Sequence, residues 1–224
     1  MWRRRGEDNA QKLDTAFWGS KLLPPSGVSM TAIEDSLTEF RSALGELDDK
    51  QVLDRFYYGR PALMLPNGAD ASLRRSVSDL LRVGIRDVLI TGSAKLGFTT
   101  VDKGERPIFS HFGETSDIDV AVISSALFEK FWKRTLEFAP DDENWKYKSA
   151  FRKYLAMGWV RPDKLPISAD FVERVEWFEG FRRLTASGNF GPYKITAGVY
   201  YDEYFFEAYA SRALGKCRYS IENV

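Results

Sequence analysis

Four residues have the types and spacing to do metal-assisted chemistry on a phosphate ester: Gly92-Ser93, which follows the apolar run Val88-Leu89-Ile90, and Asp117-Ile118-Asp119, which opens the apolar run ending at Ile123. In a strand, residues two apart share a face, so Asp117 and Asp119 project one way while Ile118, Val120 and Val122 pack the other. Two carboxylates so placed repel unless a cation lies between them. Mg²⁺ (or Mn²⁺) suits such oxygen ligands and commonly takes one or two carboxylates together with phosphate oxygens and water. Two ions roughly 3.5–4 Å apart can activate an attacking hydroxyl and stabilise a leaving pyrophosphate. Gly92 lets the backbone approach a phosphate closely. Ser93 can donate its hydroxyl and, where a helical turn starts there, its amide. Lys95 is the nearest cation to that corner and is positioned in sequence to touch a triphosphate.

These residues resemble the polymerase-β-like nucleotidyltransferase superfamily, whose signature is an apolar strand ending in Gly-Ser or Gly-Gly, followed by Asp-x-Asp at the head of a second strand. The resemblance covers roughly residues 70–124, including the helix expected from Ser72 to Val83 ahead of the first strand. It implies a nucleoside triphosphate as substrate, Mg²⁺ or Mn²⁺ as cofactor, Asp117 and Asp119 as catalytic metal ligands, and Gly92, Ser93 and Lys95 as nucleotide contacts. The acceptor hydroxyl stays open: a protein, an RNA end, a small molecule or another nucleotide.

The chain departs from that pattern in two places. Ser93 and Asp117 stand 24 positions apart, so an inserted loop (Ala94 to Ser116, with Gly97, Gly104, Pro107 and Gly113) fills the gap and is expected to act as a flap over the nucleotide. The family takes a third carboxylate from a later strand, yet Ile195 to Tyr201 holds none. Asp202, just past its end, is taken as the third metal ligand; Glu203 lies beyond it, and Asp170 is an alternative that also reads as a helix cap.

Aspartyl-phosphatase-like enzymes and metal-dependent glycosyltransferases place their acid pair after an apolar strand. Here the apolar residues follow the acids and Glu114-Thr115-Ser116 precede them, which disfavours both. His111 is the only histidine, so a histidine-based metal cluster is excluded, and a loop histidine more often has no chemical role. Phe56-Tyr57-Tyr58 reads as a helix end packed on the core. Arg74-Arg75 and Arg182-Arg183 read as solvent faces of helices, with the alternative that either pair lines the nucleotide cleft.

Several elements must position these groups. Ile33, Leu37, Phe40 and Leu44 share a helical face behind a Thr31/Glu34 capping signal, with Gly45 as the stop. A short helix over Lys50 to Tyr57 is closed by Gly59 and Pro61, and Pro66-Asn67-Gly68 forms a turn. The next helix, capped by Asp70 or Ser72, carries Leu73, Val77, Leu80 and Leu81 on one face. Helices are expected over Ser125 to Phe138, Trp145 to Met157, the Asp170/Glu173 signal to Phe181, and Glu203 to Lys216. Pro140-Asp141-Asp142 breaks the first of these, and Arg161 to Pro166 is a loop. The fold class is therefore α+β: a small mixed sheet of nucleotidyltransferase type, most helices to one side, with added N- and C-terminal helices. Residues 1–30 read as a flexible arm and 31–224 as one domain.

Lys+Arg and Asp+Glu are each 32, so the net charge is zero, against the basic excess usual in proteins that hold long nucleic acids. The single Cys217 precludes an internal disulfide and a cysteine-based zinc site. No apolar run is long enough to span a bilayer and no apolar core follows the basic Met1-Trp2-Arg3-Arg4-Arg5, so no membrane partner and a cytoplasmic location are expected. The function expected is metal-dependent nucleotidyl transfer. The alternative is a degenerate nucleotide-binding or scaffolding module, as in toxin–antitoxin or phage-defence systems.

Overall fold

Alternating apolar residues build the centre of the fold. In a computed structural model describing residues 27–66, 68–138 and 145–223, four strands form one mixed sheet: β1 (Val88–Thr91), β2 (Ile118–Ile123), β3 (Trp159–Val160) and β4 (Ile195–Tyr200). Their order across the sheet is β1-β2-β4-β3. β2 runs antiparallel to β1 and parallel to β4, and β3 is an antiparallel edge on β4.

Helices cover both faces, not mainly one. Val88, Ile90, Ile118, Val120, Val122, Ile195 and Val199 meet α3 (Ala69–Leu81), α5 (Ser125–Phe138), α6 (Lys148–Leu155) and α7 (Val172–Ala186). On the other face, Leu89, Ala121, Ile123 and Tyr200 meet α1 (Met30–Glu46), α2 (Asp49–Leu53) with its π-helical extension Asp54–Tyr58, and α8 (Glu203–Glu222). The strands have side chains to bury on both faces, so helices from the chain's two ends close the second face. Phe40, Phe56 and Phe98 are fully buried there.

Several boundaries move for local reasons. α1 begins at Met30 because Ser29 accepts from the Ala32 amide at 3.1 Å, and it passes Gly45. Asp48 and Gln51 form a reciprocal capping box for α2. Gly68, in the left-handed region at φ +81°, starts α3, while the Asp70 carboxylate accepts from the Ala62 amide at 2.8 Å. α7 has no side-chain cap: the Asp170 amide donates to Ser168 Oγ, and Glu173 accepts from Arg134 Nε at 2.8 Å, tying α7 to α5. The arm before residue 27, the Pro140-Asp141-Asp142 break and Asn67 of the expected turn lie outside the described residues. Among the described residues no helix is long and apolar enough to cross a membrane.

Candidate functional site

Antiparallel pairing of β1 with β2 sets Thr91 opposite Asp119. The chain turns into the five-residue helix α4 (Gly92–Leu96) immediately after Thr91. Gly92 makes that turn at φ +63°, in the region that favours glycine. The turn lays the Gly92 backbone against the acid: a Cβ at position 92 would stand 2.7 Å from Asp119 Oδ2. Two points 27 positions apart in sequence (119 − 92) thus share one corner of the sheet. Ser93 is buried as the second residue of α4. Asp117 lies one residue ahead of β2, half-buried, and its charge adds to the field on Asp119.

The parallel pairing with β4 places Thr196 on the other side of Asp119. Thr196 Oγ1 donates to Asp119 Oδ1 at 2.9 Å. Burial raises the Asp119 pKa above the ordinary carboxylate value; the Thr196 bond and the charges of Lys103 and Arg161 oppose the rise, and Asp117 adds to it. A desolvated carboxylate with one oxygen engaged by a hydroxyl, the other filling the space that a side chain at Gly92 would take, and the charge of Asp117 acting on it, could hold a divalent cation that completes its shell from phosphate oxygens and water. Among the described residues no third His, Cys, Asp or Glu joins the pair.

Asp202 is not brought to this corner. It follows β4 at the opposite end of the strand from Thr196, six residues and roughly 20 Å of extended chain away. Its carboxylate caps α8 by accepting from the Phe205 amide at 3.3 Å. The position beside Asp119 belongs to Thr196. Lys95 is also engaged elsewhere. Only 5% exposed, it donates from Nζ to the Arg60 carbonyl, while its own carbonyl accepts from Leu63 N at 3.0 Å. Burial lowers its pKa to about 8, with the nearby Asp70 opposing that shift.

Of the 94–116 insertion, residues 94–96 complete α4 and residues 97–112 fold back as a hairpin with its base fixed in the core. Phe98 and His111 form a bridge, the Thr99 amide donates to Ser110 O at 2.9 Å, and the Phe112 amide donates to Gly97 O at 2.7 Å. Phe98, Thr99, Thr100, Phe109 and Phe112 are buried, so the exposed part is the turn around residues 102–105, which brings the charge of Lys103 near Asp119. His111 points its Nε2 at Glu34 of α1, 3.3 Å away. Arg74 donates to the carbonyls of Val88 and Ile85 and so supports β1.

Sequence reasoning missed Thr196, Lys103 and Arg161. Thr196 carried one signal, a polar residue in an otherwise apolar strand. Arg161 carried none, because β3 is only two residues long and Arg161 itself reads as the start of a loop. Two clefts of about 440 and 360 Å³ lie elsewhere, between α3, α5 and α7 and between α5, Gly158 and Phe205; neither includes Gly92, Ser93, Asp117 or Asp119.

Compared with protein-family models, with curated proteins and with solved structures, the chain matches none of them.

Proposed function

We propose that this chain is a metal-dependent nucleotidyltransferase that moves a nucleotidyl group from a nucleoside triphosphate to a hydroxyl acceptor. The carrying observation is the contact between the Gly92 backbone and the Asp119 carboxylate, with Asp117 beside it. A glycine turn packed against one carboxylate, with a second acid next but one in sequence, supports a site where Mg²⁺ and a triphosphate would meet. The bound cation would supply charge neutralisation on the triphosphate. Asp117 and Asp119 would hold it, Thr196 fixes the orientation of Asp119, and Gly92, without a side chain, leaves room for the Asp119 carboxylate at the turn where the triphosphate would approach. The acceptor oxygen forms its bond to the α-phosphorus as the α–β bridging bond breaks; pyrophosphate departs and the hydroxyl proton passes to solvent. Catalysis of this kind is mostly positioning and charge stabilisation.

The test incubates the full chain with each α-labelled nucleoside triphosphate, Mg²⁺ or Mn²⁺, and mixtures of protein, RNA and small-molecule acceptors. Label transfer or pyrophosphate release that is lost in both Asp117→Asn and Asp119→Asn supports the reading. Turnover that survives both changes sinks it.

One observation favours a second reading, a nucleotide-binding module without turnover: Thr196 stands beside Asp119 where a third carboxylate would complete a two-ion site. Metal-dependent nucleotide binding with no product under any acceptor would select it.

A further inference from the structure

Arg161 follows β3 directly. Trp159 pairs with Tyr200 and Val160 with Val199, so the next register position sets Arg161 beside Gly198, on the sheet face that carries Thr196 and Asp119. Its side chain is held from several directions. The Trp159 indole lies parallel to the Tyr200 ring (7°, centroids 5.3 Å apart) and covers Gly198, where a Cβ would meet Trp159 Nε1 at 2.4 Å. The Arg161 guanidinium then sits 5.3 Å from the Trp159 ring and 5.1 Å from that of Tyr154. Nε and Nη2 donate to the two Asp163 oxygens at 3.0 and 3.1 Å, and Nη1 donates to the Tyr154 hydroxyl at 3.4 Å.

A guanidinium has five N–H groups, so two remain unused. Its charge reaches Asp119, yet the two form no ion pair; the Asp119 partner is Thr196. A guanidinium held against the edge-to-face pair Tyr154 and Trp159, with spare donors and a place on the sheet face that carries Asp119, is suited to taking phosphate oxygens. The structural role alone accounts for less, because a partly exposed pair with Asp163 contributes about 0–1 kcal/mol and does not require two aromatic walls.

We propose that Arg161 binds the polyphosphate of the nucleoside triphosphate, the role that sequence proximity gave to Lys95. The proposal rests on the nucleotidyl-transfer reading above and supplies its phosphate-side cation, with Lys103 of the hairpin turn adding a second positive charge.

The experiment is a calorimetric titration of the full chain with inorganic tripolyphosphate in Mg²⁺, for wild type, Arg161→Met, Arg161→Lys and Arg75→Met, an exposed control that removes one positive charge elsewhere. Arg161→Met is expected to weaken binding about tenfold or more. Arg161→Lys, which keeps the charge and loses the fork, falls in between, and Arg75→Met matches wild type. Thermal melts confirm that each variant is folded; should the methionine variant unfold, the lysine variant carries the test. Wild-type affinity in Arg161→Lys and in any folded Arg161→Met, or an equal loss in Arg75→Met, overturns the inference while leaving nucleotidyl transfer standing. A wild-type chain that binds neither tripolyphosphate nor any triphosphate overturns both.

Discussion

Thr196 and Asp119 are 77 positions apart and joined by a 2.9 Å hydrogen bond across parallel strands. The bond holds one carboxylate oxygen and stabilises a charge that burial disfavours. Asp119 sits above its ordinary value of 3.8 in the folded chain, so the folded state holds the proton more tightly than the unfolded one. Its contribution to stability therefore falls as pH rises from about 3.8 through the folded pKa, and stays low above it. Asp119→Asn, which can still accept from Thr196, is expected to be more stable than wild type at pH 7, with the difference closing towards pH 4. Thr196→Val is expected to be less stable at pH 7 by about 1.5–3 kcal/mol, the range for a lost bond to a charged group. Urea melts across pH measure both; an Asp119→Asn difference independent of pH would refute the account.

Gly92→Ala puts a methyl group 2.7 Å from Asp119 Oδ2 and forces alanine to φ +63°. The left-handed conformation costs about 1–2 kcal/mol, and the collision displaces the carboxylate. The expected result is an unfolding free energy, measured by urea melts, lowered by that amount together with loss of metal-dependent nucleotide binding. Unchanged binding would mean that the corner is not part of the site.

Lys95→Met separates the structural lysine from the chemistry. With its pKa lowered to about 8 by burial, Lys95 binds its proton less tightly when folded, so wild-type stability gains a rising component between about pH 8 and 10.5. The methionine variant is expected to lack that component and to keep wild-type affinity for tripolyphosphate. A large loss of affinity in a folded Lys95→Met variant would restore the lysine to the site.

Local pattern determined a good deal here. The alternation along Ile118 to Ile123 determined that Asp119 takes the sheet face opposite Ile118, Val120 and Val122, because a strand's side chains alternate whatever the strand pairs with. The apolar spacing of Ile33, Leu37, Phe40 and Leu44 found α1 for the same kind of reason. The strand at β4 was equally legible, but its partner was not. Only pairing across the sheet decided that Thr196 stands beside Asp119 and that Asp202 lies at the far end, since register is set by long-range packing and leaves no local mark. The same holds for the two cations. Lys95 is three residues from Gly92, yet its side chain serves the Arg60 carbonyl, while Arg161, far along the chain, stands on the face that carries Asp119, set there by two residues of edge strand.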